Sequence, residues 1–350
     1  MNIGIVTPVY PPTTTGGGAF STKLLVEKLR NRGHEVEVLS FDSKPEEDYD
    51  YVERVPHDSN RFDVRNFKAR GEVKEFSKDK DVIHSYNMTF HPAVASIKDV
   101  KTVATLNNYK FFYPYSVSGV ENKPRSKAYR TLHDTICRIL MRRMDNFTAL
   151  STDVKKEYSR ILSEDKITVV PNMYNPDFPE FQGLETNPNE LLYVGSIGER
   201  KGVEQLVRAM KDVEDKTLRV VGDGEQKEEL EELTKELGIE DRVIFEGYVD
   251  HNDLPRYYER AGWFIHPGKW PEPFGRTILE AMQMKAAVIA TNRGGPKDVL
   301  PEDQLVEDVS EIKDKLENLD REKVIKEQDN RLEKYSPEKV VSEFLKVYKK

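Results

Sequence analysis

Two glutamates, eight residues apart, are the most informative chemical feature of the sequence. Glu272 lies in a proline-containing loop, and Glu280 lies inside an amphipathic segment that begins near Gly275. A carboxylate accepts hydrogen bonds from hydroxyl groups, and each charge-assisted bond contributes about 1.5–3 kcal/mol. One carboxylate at the mouth of a helix and one inside the helix therefore suit a sugar ring and a ribose. Because the neighbours of Glu280 are apolar, burying it without such partners would be costly.

Backbone amides at three predicted helix starts indicate anion binding. A helix N-terminus presents unpaired amides and the positive end of a dipole, which together attract phosphate. The turn 195–202 also carries two adjacent cations, so a phosphate there would meet side-chain charge as well. The turn 11–18 ends in three glycines. The alternatives to anion binding are an ordinary flexible turn at 11–18 and exposed basic residues on a loop at 195–202. The candidates at the three starts are Gly17, Gly18, Arg200, Phe274, Gly275, Arg276 and Thr277.

Short β-branched runs alternate with longer amphipathic segments, which predicts an α/β fold with parallel sheets covered by helices. The alternation occurs twice, so we expect two doubly wound, Rossmann-like halves. Strands are predicted at 2–7, 35–40, 81–86, 101–106, 146–150, 191–195, 217–222, 242–246, 263–266 and 287–290. Helices are predicted at 19–32, 125–144, 202–212, 225–237, 252–260, 276–284 and 308–334.

A stretch with four prolines divides the two halves and predicts a linker at 171–189. It follows an N-terminal domain at 1–170 and precedes a C-terminal domain at 190–334. In the last segment, 335–350, Ser336 and Pro337 stand at helix-start positions. We expect this helix to pack back on the N-terminal domain.

The composition excludes several protein classes. The chain has 350 residues, enough for about two domains. With a single cysteine, Cys137, it cannot form an intramolecular disulfide or a Cys-rich zinc site, which favours the cytoplasm. No signal peptide or run of about 18 apolar residues is evident, so we expect neither export nor a membrane span. Two Asp-x-Asp strings, at 48–50 and 79–81, are better explained as solvated charge than as metal ligands.

The formal net charge of −8 argues against nucleic-acid binding. Only residues 98–143 are strongly basic, with ten basic and three acidic side chains. An aromatic cluster at 111–115 precedes a predicted basic helix in this segment. This combination suits peripheral contact with an anionic membrane, although core aromatics beside solvated cations are equally compatible. The basic side chains of the predicted helix are Arg125, Lys127, Arg130, Arg138, Arg142 and Arg143.

The motifs, in their order along the chain, resemble the retaining glycosyltransferases of family 4, which have the two-domain GT-B fold. They are the turns 11–18 and 195–202, the Gly222-Asp223-Gly224 turn, and the segment from Glu272 to Glu280. The resemblance covers almost the whole chain. It implies transfer of a sugar from a nucleotide diphosphate sugar to a glycan or lipid-linked acceptor, with retention and without a cofactor or metal. A nucleotide-sugar epimerase and a non-catalytic nucleotide-sugar-binding module are the alternatives.

The resemblance also implies roles for individual residues. Glu280 would bind the ribose hydroxyls, and Glu272 would bind hydroxyls of the donor sugar. Lys201 would neutralise the diphosphate leaving group. Gly17 would approach the diphosphate from the N-terminal domain, which would also bind the acceptor.

At several positions the chain departs from the family pattern. Ser196 stands where the family has an arginine, and we infer that Arg200 supplies the missing charge. His84 keeps the first position of a His-x-His pattern and is a candidate catalytic residue, although a lone histidine at a strand end is more often structural. Tyr86 and Asn107 stand where two further histidines are frequent.

Overall fold

The computed structural model describes residues 1–14, 16–57, 62–109 and 135–350, apart from the side chains of residues 62 and 63. These residues form two units, which are Met1–Asn172 with Pro337–Lys350, and Met173–Ser336. The predicted linker is divided between the units after Asn172.

The first unit is built on a parallel sheet of seven strands. They are β1 (Asn2–Thr7), β2 (Glu35–Ser40), β3 (Val52–Arg54), β4 (Val82–Ser85), β5 (Lys101–Leu106), β6 (Asn146–Ala149) and β7 (Ile167–Val169). Their order in the sheet is β3-β2-β1-β4-β5-β6-β7. Ile3 and Ile5 of β1 are fully buried, as expected for a central strand covered on both faces. The chain order reverses between β1 and β4, and ligands of such sheets bind at this point, beyond the carboxyl ends of the strands.

Helices cover this sheet. They are α1 (Gly17–Asn31), α2 (Phe62–Phe76), α3 (His91–Val94) and α4 (Thr152–Tyr158). α1 begins two residues before its predicted start, inside the glycine run. Residues 135–141 are also helical and are a described part of the predicted helix 125–144. The aromatic cluster 111–115 and the predicted helix up to residue 134 lie outside the described residues.

The second unit repeats the arrangement with six parallel strands. They are β8 (Asn187–Val194), β9 (Thr217–Val221), β10 (Val243–Gly247), β11 (Ala261–His266), β12 (Ala287–Thr291) and β13 (Leu305–Val306). Their order is β10-β9-β8-β11-β12-β13, so the chain order reverses between β8 and β11. In register, Trp263 of β11 lies opposite Leu191 of β8 on one side and Ala287 of β12 on the other.

Seven α-helices of the second unit are described. They are α5 (Val203–Ala209), α6 (Lys227–Leu237), α7 (Leu254–Arg260), α8 (Arg276–Gln283), α9 (Pro296–Val299), α10 (Ile312–Asn318) and α11 (Arg321–Leu332). The predicted helix 308–334 is therefore interrupted. The break occurs because the Asp320 side chain caps a new helix by accepting hydrogen bonds from the amides of Glu322 and Lys323.

The last helix, α12 (Pro337–Lys349), belongs to the first unit and packs on β5 and β6. Its apolar face buries Val341 and Phe344. The hydroxyl of Tyr348 lies 2.7 Å from Nδ1 of His84 on β4. Among the described residues, no helix has the length and apolar character needed to cross a membrane.

Candidate functional site

An ion pair joins two loops at the carboxyl edge of the second sheet. Nζ of Lys201 lies 2.9 Å from Oε2 of Glu272. Lys201 follows β8, and Glu272 follows β11, so both loops leave the neighbouring strands between which the chain order reverses. The sheet topology thus places the predicted cation and the first predicted carboxylate at the position where open α/β sheets bind ligands.

Glycines allow these loops to approach each other. A Cβ atom at Gly202 would lie 2.0 Å from the carbonyl oxygen of Pro267, and a Cβ at Gly295 would lie 2.4 Å from Cα of Phe274. The φ angle of Gly202 is 73°, which also favours glycine. The amide of Gly295 donates to the carbonyl oxygen of Glu272 at 2.7 Å. The backbone beside the ion pair is therefore fixed by the loops that follow β11 and β12.

The Glu272 side chain is ionised at neutral pH. Burial favours the neutral acid, but the adjacent Lys201 ammonium, by its charge and hydrogen bond, holds the pKa of Glu272 below its usual value. The side chains of Lys201 and Glu272 are 38 % and 27 % exposed, so a ligand can reach both.

The second carboxylate, Glu280, is buried in α8 and only 6 % exposed. Its Oε2 accepts a hydrogen bond from the hydroxyl of Tyr258 at 3.0 Å. Its Oε1 lies 3.4 Å from Nε2 of His251 and 3.8 Å from Nη2 of Arg276. The carboxylate therefore has polar contacts on both oxygens among the buried apolar neighbours Leu279 and Ala281, and these contacts offset the cost of its burial.

The start of α8 lies directly beside Glu272. Gly275 caps this helix with φ 93°, and Cγ of Glu272 lies 3.9 Å from the position that a Cβ of Gly275 would take. The next amides, of Arg276 and Thr277, belong to the first turn, where helix amides lack an acceptor within the helix. Phe274 is 2 % exposed, so its side chain anchors the loop in the interior. The structure thus brings Glu272 together with the predicted anion-binding segment.

Arg200 lies beside Lys201 but faces an aromatic ring. Its guanidinium carbon lies 5.1 Å from the ring centroid of Trp270, and its carbonyl oxygen accepts from the amides of Lys269 and Trp270. Ser196 uses its carbonyl oxygen to accept a hydrogen bond from the hydroxyl of Tyr193. Replacement of the missing arginine by Arg200 stays a prediction.

The glycines predicted to approach the diphosphate lie at the start of α1 in the first unit. Gly17 is the first residue of this helix. A Cβ at Gly18 would lie 2.5 Å from Oδ1 of Asn87, which follows β4. The preceding loop is held by Arg54, which donates to the carbonyl oxygens of Tyr10 and Pro11 at 3.1 and 2.9 Å.

His84 is buried in the first unit, with no exposed surface. Its Nδ1 contacts the hydroxyl of Tyr348, and its Nε2 lies 2.7 Å from Oγ1 of Thr105. Burial lowers the pKa of His84 to about 3, so the ring is neutral. This placement does not suit the predicted catalytic role, because a catalytic group must touch the substrate and both ring nitrogens already contact protein.

Three of the four aspartates in the two Asp-x-Asp strings, Asp48, Asp79 and Asp81, have partners within the protein. Asp48 accepts from Nε of Arg54 at 2.6 Å, and Asp79 pairs with Lys80 at 2.6 Å. Asp81 accepts from the amide of Asn2 at 2.7 Å. Within the described ranges, no group of three or more His, Cys, Asp or Glu residues is arranged to hold a metal ion.

Two family models match the chain in succession. Glycosyltransferase Family 4 matches residues 15–178, and Glycosyl transferases group 1 matches residues 175–339. The chain belongs to the family 4 glycosyltransferases. It is therefore a nucleotide-sugar-dependent glycosyltransferase. The two family matches favour this function over that of an epimerase or a non-catalytic binding module. Lys201, Glu272 and Glu280 all lie within the group 1 match.

Individual relatives agree with this assignment. The glycosyltransferase is 28 % identical to an uncharacterised glycosyltransferase of Methanocaldococcus jannaschii, over 86 % of this chain and 83 % of that protein. It is 26 % identical to the alpha-monoglucosyldiacylglycerol synthase of Streptococcus pneumoniae, over 83 % and 71 %. The crystal structure of Anabaena HepE in complex with UDP matches with a TM-score of 0.75 and 17 % identity, over 99 % of both chains. This match confirms the predicted GT-B fold.

Proposed function

We propose that the enzyme transfers a sugar from a UDP-sugar to an acceptor with retention of anomeric configuration, and that its second unit holds the donor. The observation that carries the proposal is the Lys201–Glu272 ion pair beside the start of α8. It combines a cation, a carboxylate and helix amides at the ligand-binding edge of a sheet. The HepE crystal structures include complexes with UDP and with UDP-glucose, which supports uridine as the base.

Lys201 and the amides of Arg276 and Thr277 stabilise the leaving group in this proposal. As the bond between the anomeric carbon and the phosphate oxygen breaks, its electron pair stays on the diphosphate. A preorganised ammonium and helix amides stabilise that charge more in the transition state than in the ground state. Glu272 accepts hydrogen bonds from hydroxyls of the donor sugar, and Glu280 accepts them from the ribose.

The first unit binds the acceptor in this proposal. No divalent ion is required, because Lys201 and the helix amides supply the positive charge. We expect an excess of EDTA to leave transfer unchanged.

The acceptor is proposed to be lipid-linked, with the first unit on an anionic membrane at the cytoplasmic face. The described part of the basic helix exposes Ile136 and Ile139, which are 48 % and 49 % accessible. Arg142 and Arg143 are exposed beside them. Exposed aliphatic side chains beside cations suit an anionic bilayer surface. The Streptococcus relative is named an alpha-monoglucosyldiacylglycerol synthase, which supports a lipid acceptor.

A nucleotide panel tests the donor proposal. UDP should raise the midpoint of thermal unfolding more than GDP or ADP, because only the matching base adds its contacts to the binding free energy. Incubation with UDP-sugars and lipid extract should then release UDP and form a glycolipid whose anomeric configuration matches the donor. A larger shift with GDP or ADP would overturn the choice of uridine. Conversion of the donor to an epimer without UDP release would instead support the epimerase.

A further inference from the structure

We propose that Tyr258 is a positioning residue that fixes the Glu280 carboxylate so that it recognises both ribose hydroxyls of the donor. The enzyme would then select ribonucleotides over 2′-deoxyribonucleotides at this carboxylate. This inference rests on the proposed function, because it takes Glu280 as the ribose ligand.

The contact between the two side chains is direct and buried. The hydroxyl of Tyr258 donates to Oε2 of Glu280 at 3.0 Å, and Tyr258 has no exposed surface. Its ring packs against Phe178 and Phe264, with centroids 6.2 and 5.5 Å away. Burial and the Glu280 charge raise the pKa of Tyr258 well above its usual value. The hydroxyl therefore keeps its proton and acts as a fixed donor.

The contacts on the other oxygen complete the restraint. Nε2 of His251 lies 3.4 Å from Oε1 of Glu280, and Nη2 of Arg276 lies 3.8 Å from the same atom. The terminal torsion of a glutamate is broad, so an unrestrained carboxylate would sample many planes. With donors on both oxygens, rotation of the Glu280 carboxylate breaks existing contacts. Each oxygen retains acceptor capacity for a ligand hydroxyl, because a carboxylate has about four lone-pair sites.

A fixed carboxylate plane matters most for a ligand with two adjacent hydroxyls. Both hydroxyls of a ribose can donate to the two oxygens at once only when the plane is correctly oriented. A 2′-deoxyribose donates only once, so one of the two charge-assisted hydrogen bonds between the ligand and the carboxylate is lost. Loss of one charge-assisted hydrogen bond corresponds to about a tenfold difference in affinity. The wild-type enzyme should therefore bind UDP at least about tenfold more tightly than 2′-deoxy-UDP.

Calorimetric titration with UDP and 2′-deoxy-UDP tests the role of Tyr258. In Tyr258→Phe we expect the preference for UDP to fall to about threefold or less, because the carboxylate loses its donor on Oε2. The matched control is Tyr257→Phe on the same helix, whose hydroxyl lies 3.5 Å from Oε2 of Glu246. This control should keep the full preference. A merely structural role would lower thermal stability without changing the ratio of the two affinities.

His251→Ala provides a second test that does not depend on a buried ring. His251 is 40 % exposed, and its loss removes the closer of the two contacts on Oε1 and leaves that of Arg276, so we expect a smaller but measurable fall in the preference for UDP. The inference is overturned if Tyr258→Phe and His251→Ala both keep the wild-type preference while Glu280→Gln loses it. If Glu280→Gln itself keeps both UDP affinity and preference, the assignment of Glu280 to the ribose fails instead.

Discussion

Nζ of Lys201 and Oε2 of Glu272 are 2.9 Å apart, so the cation proposed to meet the diphosphate is held by the carboxylate proposed to meet the sugar. This contact orients Lys201 before the leaving group gains charge. We expect Lys201→Met to lower kcat by about 100-fold or more, because loss of one preorganised stabilising group has this effect in other enzymes. The affinity for UDP, measured by calorimetry, should change less than tenfold. The exposed Lys211→Met serves as the control. An equal loss of affinity and kcat would show that Lys201 only anchors the donor.

The same contact predicts a pH dependence of stability. Because Lys201 lowers the pKa of Glu272 from its usual value of 4.5, the folded state binds the Glu272 proton less readily than the unfolded state. The resulting stabilisation is present above about pH 4.5 and is lost as pH falls through the lowered pKa. In Lys201→Met this acid-dependent loss should shrink. Urea unfolding of both proteins between pH 6 and pH 3 measures the difference, and parallel pH curves would contradict the prediction.

Arg54 should make a large contribution to the stability of the first unit. Its side chain is 1 % exposed and pairs with Asp42 and Asp48, each at 2.6 Å. Arg54→Met would leave two largely buried carboxylates without their cation, so we expect the free energy of unfolding to fall by about 3–5 kcal/mol. Urea denaturation measures this loss. The exposed Lys78→Met, which removes a surface ion pair with Glu75, should cost less than about 1 kcal/mol. Comparable losses in the two variants would contradict the prediction.

The sequence predicts the long, strongly patterned elements best. β1, β2 and β5 have their predicted bounds, and α8 ends one residue early. In these segments the aliphatic and β-branched residues recur with the spacing of a strand or of a packed helix face, which a sequence pattern detects. The short strands β3, β7 and β13 are not predicted. Each of these strands has three residues or fewer, which is too short for a recognisable hydrophobic pattern. They are strands because a neighbouring strand supplies the hydrogen-bonding partners for their backbone.

For the site, the sequence identifies the residues but not their partners. The motif containing Glu272 and Glu280 is visible because it is local in the chain. The contact of Glu280 with Tyr258 is not visible, because the two residues lie on separate helices 22 positions apart and only the packing of α7 against α8 joins them. The burial of His84 depends on α12, which returns from the end of the chain.

His84 should prove structural. Tyr348→Phe would leave Nδ1 of a fully buried ring without its partner, so we expect a loss of about 1–3 kcal/mol in the free energy of unfolding.

The folded state holds His84 neutral with a pKa of about 3, so stability should fall as pH drops below the unfolded value near 6.5. His84→Asn should weaken this acid sensitivity, while kcat at neutral pH stays within about threefold of wild type. A folded His84→Asn enzyme without turnover would restore the catalytic prediction.

Membrane contact through the helix at 135–141 predicts a specific lipid dependence. Burial of an isoleucine in an apolar environment contributes about 1.5–3 kcal/mol, so the double substitution of Ile136 and Ile139 by Ser should weaken vesicle binding by tenfold or more. Flotation with vesicles of phosphatidylglycerol and phosphatidylcholine measures this binding.

Vesicles of phosphatidylcholine alone should bind less, since the exposed arginines Arg142 and Arg143 then lack anionic partners. Ile244→Ser, at an exposed isoleucine of the second unit, is the control. Equal binding to both vesicle types, or unchanged binding of the double variant, would refute docking by this helix.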